Sequence, residues 1–563
     1  YSDKGSTALR TLLLDHCNWR WLFGFENRDK IFDIHRSFKF CPVLVRKGGQ
    51  TRALRAAFMR RSLDDWDMAE SSAFPMQADD ISMLSPKSRA MLEATQETAL
   101  KSLVRISKAN LRLGERNDVR YVHHEFFATA DARHFVPISS AIANGYLPDS
   151  CEIWRGPDGG LVPIVEGRML DMLQPNAMGW VSGRGRTAVW RELGASATHL
   201  EPQFLIAEKR CLAPDSLVVQ GWKSSIMDVT AATNARTVIS TPTRGLASVD
   251  TVRHLEVGGE FHDAALLSAM AASYTFDWLA RFRVGGLHVT WFQLEDIPVP
   301  CKVAEATARL VVKAVRALAC THSRFAPEWR DTGDQPVNRR AWRHHWAITP
   351  HERLRLRCIL DAAVASLYGL SIPDFAWILR DCDHPTAQVC SKPFARTLDP
   401  KGFWRVDKTQ PPELRHTVLS LVAFHDLQRI GLDAFLAQHD GDGWLLPDTL
   451  RLSDYGLGHD DRAQQPQPVA SALGPRFLDW QLNEDVEASW EECRRHAALI
   501  DRILGVGRNS EGDAPLPAER ISASVGAAPR DHPRRPAQTD LFGERAEVDL
   551  FGEPVDRSAR RRR

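Results

Sequence analysis

The sequence predicts an α/β sheet ending, then a mixed α+β domain, then a helical C-terminal region with a disordered tail. Three observations carry this reading. The run ALRTLLL (8–14) has the character of a helix end and leads into two aromatic and aliphatic runs, WLFGF and FCPVLV, which read as short buried strands joined by a charged connection. Residues 120–300 break into short β-rich pieces separated by Gly, Pro, Asn and Asp. Residues 302–320 and 350–370 are amphipathic helices.

The intervening elements follow in order. SPKSRAMLEATQETALKSLVRISKANLRL (85–113) opens with Ser-Pro and continues in good helix formers, predicting one or two bridging helices. VRYVHHEFF, LVPIVEG, FLIAEKR and GLHVTWFQL are the strand candidates of the middle domain. After about residue 505 the chain is rich in Pro, Arg, Ala, Ser and acidic residues, with few large apolar groups to offset ordering entropy, and reads as disordered. DLFGE occurs there twice, at 540–544 and 549–553.

Composition excludes several classes. At 563 residues the chain can hold two to four domains. Its 72 basic and 71 acidic residues leave a formal charge of +1, so any nucleic-acid contact has to be local. Ten Cys residues form no C-x-x-C pair and read as reduced thiols of a cytoplasmic protein. No apolar run approaches the roughly 20 residues of a membrane span. The pairs His123-His124 and His344-His345 have no acidic or Cys partner at ligand spacing, so no metal is expected.

Four segments carry residue types suited to nucleic acid. FENRDKIFDIHRSFKF (25–40) alternates aromatic and basic side chains around two strands, a pattern that composition alone assigns to core packing. In VPIVEGRMLDMLQPNAMGWVSGRGRTAVW (162–190), Gly183 and Gly185 allow close backbone approach to a phosphate or groove edge. Arg184 and Arg186 supply forks for guanine or phosphate, between Trp180 and Trp190. A solvated arginine loop is an equal reading on composition. WKSSIMDVTAATNART (222–237) offers Lys223, Asn234 and Arg236, although Asn234 equally suits a cap or turn. In ARFRVGGLHVTWFQLEDIPVP (280–300), Arg283 has the reach for phosphate, while Leu287, Val289 and Phe292 read as strand core. Asp361, Tyr368 and Trp404, in the segments 360–379 and 399–427, read as helix packing and caps.

Taken in order from about residue 1 to about residue 505, these segments resemble the C-terminal portion of adenine-N6 DNA methyltransferases with a target-recognition region, such as type IIG restriction-modification and phage-defence (PglX-like) enzymes. The resemblance implies that residues 1–115 are a methyltransferase-fold remnant, the last strands of a Rossmann-like sheet plus bridging helices. It makes 116–300 the target-recognition domain, 301–505 a helical domain and 506–563 the tail. It places residues 25–40 at the edge of the pocket for an adenine rotated out of the duplex, with Phe32 as the stacking candidate and Phe38 and Phe40 as core. It makes Trp180, Arg184, Arg186, Lys223, Asn234, Arg236 and Arg283 the DNA-contact candidates; Met227 stands where the family has an Arg, so that contact does not transfer.

The family's Gly-rich S-adenosyl-L-methionine loop and Asn-Pro-Pro-aromatic motif do not occur: Pro411-Pro412 follows Gln410, and Gly183-Arg184-Gly185 does not join a strand to a helix. No catalytic or cofactor-binding residue is therefore assigned, and the chain is expected to be inactive alone. The expected function is target recognition for a site-specific adenine methyltransferase whose missing N-terminal part binds S-adenosyl-L-methionine; a non-catalytic DNA-binding specificity subunit is the alternative. Expected partners are double-stranded DNA, other defence-system subunits and the replication sliding clamp, because Gln538, Asp540, Leu541 and Phe542 resemble the Gln-x-Asp/Ser-Leu-Phe clamp-docking peptide.

Overall fold

The computed structural model describes residues 4–504, apart from 37, 95, 198, 214–215, 232–233, 285–286, 331, 333–338, 382–402, 404–406, 408 and 458–460. Trp404 and the tail carrying the two DLFGE copies, with Gln538, Asp540, Leu541 and Phe542, lie outside the described residues.

The N-terminal sheet grows around one long strand, β1 (Cys17–Glu26), packed beneath the helix Thr7–Asp15. On one side β1 pairs antiparallel with β2 (Lys39–Phe40) and β3 (Val43–Lys47); on the other it pairs parallel with β4 (Ala53–Arg60), which β5 (Phe74–Gln77) extends antiparallel. A parallel neighbour requires a crossover, and residues 27–52 supply it by passing through β2 and β3. Trp19, Leu22, Phe23 and Phe25 of β1 are buried, as the sequence leads one to expect. The second expected buried strand is not: β3 pairs only with β1, and both of its faces are largely exposed. The sequence reading left out β4, whose Leu54, Ala56 and Phe58 share one core-facing side.

Of the expected bridging helices only Glu97–Ala109 forms. Residues 85–94 are irregular because their backbone serves other elements. Arg10 donates two hydrogen bonds to the Ser88 carbonyl, at 3.0 and 2.7 Å, and Arg89 adopts a left-handed φ of 50°. The bridge ends in β6 (Leu111–Arg112), which pairs with β19 (Pro298–Val299) and so closes the middle domain back onto its own entry.

That domain holds two sheets and a hairpin. A four-stranded antiparallel sheet runs β16 (Ser240–Thr243), β15 (Lys223–Met227), β18 (Val252–Val257), β7 (Val119–Val122). A second sheet runs β8 (Phe135–Pro137), β14 (Phe204–Ala207), β11 (Gly159–Val165), β10 (Trp154–Gly156), β9 (Leu147–Pro148), and β17 (Ala247–Ser248) joins it parallel to β11. The hairpin is β12 (Met178–Ser182) with β13 (Val189–Glu192). The expected strand in GLHVTWFQL is instead the short helix Trp291–Leu294. Gln293 Oε1 accepts from the Thr290 N–H at 2.8 Å, a capping interaction that starts a helix where alternation suggested a strand. Val289 is buried, but Leu287 is 54% exposed and Phe292 half-buried, so neither is strand core.

The helices Glu305–Ala319, Pro350–Leu367, Ile372–Asp381, His416–Ile430 and Val486–Leu504 complete the fold. One hydrophobic core runs without a break from Leu14 through the middle domain to Ile500. Asp361 and Tyr368 act as packing and capping groups, as expected: Asp361 Oδ1 accepts from the Tyr274 N–H at 2.8 Å, which opens the helix Tyr274–Arg281, and the Tyr368 hydroxyl donates to the Pro298 carbonyl at 2.9 Å. Asp361→Ala leaves that buried N–H without its acceptor and is expected to lower stability by about 1–3 kcal/mol. A shift of the urea midpoint measures it; an unshifted midpoint would show that the helical region does not lean on this contact.

Candidate nucleic-acid interface

The hairpin loop is built to stand out. Across its strands Trp180 faces Trp190, and Arg168 places its guanidinium 5.2 Å from the Trp190 ring centre. At the tip Gly183 has φ +76°, and a Cβ there would sit 2.2 Å from the Thr187 carbonyl oxygen, so only glycine fits. Two donors fix that residue's own carbonyl: the Trp180 indole N–H at 3.1 Å and the Gln203 amide at 2.9 Å. Arg184 follows, exposed and without an ion-pair partner among the described residues. The side chain of Arg186 lies outside the described residues. The tip is thus a fixed turn offering at least one uncommitted guanidinium, flanked by a half-buried Trp pair and by Arg168. Sequence reasoning quoted the EGRM segment containing Arg168 but did not single the residue out; its stacking on Trp190 depends on the hairpin register, which spacing does not give.

Four of the expected DNA contacts are occupied elsewhere. Lys223 is 1% exposed, ion-paired with Glu125 and donating to the Leu246 carbonyl at 3.0 Å, because on β15 its side chain points into the domain. Arg283 is buried between segments, donating to the Leu84 carbonyl at 2.7 Å and facing Asp296 at 3.7 Å; burial, offset in part by Asp296, pushes its pKa down to about 10. It ties the bridge to the middle domain and is not free for phosphate. Arg236 lies flat on the Tyr274 ring at 3.6 Å. Asn234 turns the backbone: its N–H donates to the Ala231 carbonyl at 2.9 Å, its side-chain amide donates to Thr230 Oγ1, and its own carbonyl accepts from Arg281.

The loop after β1 keeps its expected exposed ring. Asn27, fully buried, donates to the Phe32 and Ile34 carbonyls at 2.9 and 3.0 Å and accepts from the Phe32 N–H at 2.9 Å. Held this way, Phe32 is 50% exposed and stands edge-on to Phe40, 4.8 Å between centres. Phe40 stacks on Phe25, in line with a packing role, whereas Phe38 is 54% exposed and not core, since it precedes β2 outside the sheet. Asn27 was not singled out from the sequence; the FENRD run names it, but only the three bonds reveal its role.

Behind the hairpin lies a buried polar network. Glu125 pairs with Lys223, accepts from the Ser248 hydroxyl at 2.9 Å and from the Val219 N–H at 2.9 Å. His254 bridges Ser248 (2.5 Å) and Ser225 (3.0 Å). Ser248, His254 and Glu125 have the residue types of a hydrolytic triad, yet all three are buried, and no substrate reaches them. Burial pushes Glu125 upward, but the charges and hydrogen bonds of Lys223 and His254 outweigh it and hold the carboxyl at about 2. Burial and the Lys223 charge push His254 below its usual value. Among the described residues no His, Cys, Asp and Glu group could hold a metal ion, and no helix is long and apolar enough to cross a membrane.

No protein-family model and no curated protein matches the sequence. Among solved structures, the chain is similar to the Type IIL restriction-modification enzyme MmeI, solved in complex with DNA, at 11% identity and a TM-score of 0.30, covering 63% of this chain and 44% of that one. It is similar to the type IIG restriction endonuclease BpuSI at 11% identity and a TM-score of 0.25, covering 56% of this chain and 40% of that one. The chain spans less than half the length of either.

Two outcomes follow from the network and the loop. Lys223→Met strands a buried carboxylate and is expected to cost about 3–5 kcal/mol, read by urea unfolding. Because the folded pKa values of Glu125 and His254 are both depressed, the unfolded chain binds more protons in acid. Their contribution is therefore complete above the unfolded values and is lost as pH falls below about 6.5 for His254 and from about 4.5 toward 2 for Glu125. Thermal unfolding across pH 3–7 should show a descending acid limb that flattens in Lys223→Met.

Proposed function

We propose that this chain supplies DNA target recognition, and the rim of a base-flipping pocket, to a site-specific adenine-N6 DNA methyltransferase of a restriction-modification or phage-defence system. The observation that carries the reading is the hairpin tip, where Gly183 fixes the turn and Arg184 is left exposed and unpaired among the described residues. An arginine on a rigid, narrow projection suits bidentate readout of guanine in the major groove or a clamp on phosphate. Trp180 contributes by anchoring the tip rather than by touching DNA. The ordered sequence resemblance from residue 1 to about 505 supplies the chemistry.

Phe32 takes the stacking role in this reading. An extruded adenine loses its neighbours, and an exposed ring restores about 1–3 kcal/mol of that interaction. Asn27 acts as its positioning residue.

The loop at the end of β4 does not fit S-adenosyl-L-methionine. The loop where β4 leads into the helix Trp66–Ser72 passes through Leu63–Asp65, closed by an Asp65 carboxylate accepting from the Ser62 N–H at 3.0 Å, and holds no glycine to admit a cofactor. No step through the cofactor is assigned to this chain. In this reading cofactor binding and methyl transfer fall to other segments of the working enzyme, and other defence-system subunits are its further partners.

Duplex binding by the chain, followed by fluorescence anisotropy over a pool of sequences, tests the reading. Arg184→Ala is expected to weaken binding to preferred duplexes by about 1–3 kcal/mol and to flatten the preference at one position. Equal loss on every sequence would make Arg184 a phosphate contact, and no loss would remove the hairpin from the interface. Binding without any methylation in the full locus would favour the non-catalytic specificity subunit.

A further inference from the structure

We infer that the edge of the six-stranded sheet carries a second phosphate-contact site, formed by Arg133, His134 and Arg210, that extends the track begun at Arg184; it rests on the DNA-recognition reading above. β8 is the edge strand and runs antiparallel to β14, pairing Phe135 with Ile206 and Pro137 with Phe204. The residues just before β8, Arg133 and His134, therefore meet the residues just after β14, where the helical turn Glu208–Cys211 carries Lys209 and Arg210. Arg133, Lys209 and Arg210 are exposed.

The acids nearby are already engaged. Glu208 accepts from Arg155 at 2.6 Å, and Asp131 accepts from the Phe127 N–H at 2.7 Å. Arg133 and Arg210 have no ion-pair partner among the described residues. Arg133 Nε donates to His134 Nε2 at 3.1 Å, which makes the neutral imidazole carry its proton on Nδ1, a donor suited to a phosphate oxygen. Slight desolvation and the charges of Arg210 and Arg133 hold His134 below its usual pKa, and the β8–β14 register brings Arg210 to the same end of the sheet.

The two ends of β14 set the spacing. Gln203, just before the strand, holds the Gly183 carbonyl of the hairpin tip, and its own carbonyl accepts from the Ile138 N–H at 3.2 Å. Glu208 begins the turn at the other end. At about 3.3 Å per residue, the five steps between them span about 16.5 Å. That matches the axial rise of four to five base pairs at about 3.4 Å each. A duplex seated on the hairpin tip thus runs its backbone along the β8 edge to this cluster.

The test is the salt dependence of duplex binding by the full chain and by the double variant Arg133→Gln/Arg210→Gln, with Arg309→Gln, an exposed arginine paired with Glu305, as the charge control. The expected result is a slope of log affinity against log salt shallower by about 2 and a loss of roughly tenfold, equal on all sequences, with unchanged thermal unfolding. Arg309→Gln should leave the slope alone. An unaltered slope in the double variant, while the parent chain binds, overturns this site and leaves the recognition reading intact. An equal change in Arg309→Gln overturns it as a generic charge effect. A parent chain that binds no duplex removes both.

Discussion

The middle domain is organised by one buried ion pair, Lys223 with Glu125, and by the hydroxyl and imidazole groups that complete it. Lys223 lies on β15 and His254 on β18, both in the four-stranded sheet, and Glu125 sits in the loop after β7; Ser248 lies on β17, which pairs with β11 of the other sheet. Two twisted sheets joined only through apolar contacts can slide against each other, because such contacts are non-directional. A carboxylate with a lysine, a serine and a backbone N–H on its oxygens has one satisfactory arrangement. The hairpin and the β8 edge hang from the second sheet, so their placement over any ligand is inherited from this network.

The same constraint explains where the sequence misled. Lys223, Arg236, Asn234 and Arg283 have residue types that read nucleic acid, and nothing in their spacing distinguishes a cation facing solvent from one facing a buried acid. β15 is buried on both faces, so Lys223 has no solvent-facing side to take and pairs with Glu125, nearly a hundred positions away in the chain. Arg283 was misread for a related reason, since its acceptor at Leu84 lies 199 positions away in the chain. Arg184, flanked by Gly183 and Gly185, is exposed, which agrees with the solvated-loop reading as well as with the DNA-contact reading.

Element prediction divided along similar lines. The helix Glu305–Ala319 was legible from periodicity; Pro350–Leu367 forms where expected but is buried nearly all round, Glu352, Arg353, Arg355 and Asp361 included, so it is not the amphipathic helix that the sequence suggested. The N-terminal half of the 85–113 segment was not, since Arg10 takes the Ser88 carbonyl and Arg89 turns into the left-handed region. GLHVTWFQL alternated like a strand, but the Thr290–Gln293 cap redirected it. β4 was missed although Leu54, Ala56 and Phe58 alternate, because arginines at 52, 55, 60 and 61 made the run look solvated. A near-neutral chain can still present local cations, as the exposed Arg184, Arg133 and Arg210 do, none of which has an ion-pair partner among the described residues.

The central claim is that this chain directs an adenine methyltransferase to a short DNA sequence. Single-molecule sequencing of genomic DNA, from cells with the locus intact, with it deleted and with Arg184→Ala, addresses that claim directly. The account predicts N6-methyladenine in one recurring motif, absent on deletion and lost or redistributed in the variant. An adenine methylation pattern identical in all three strains, with the gene expressed, would contradict it.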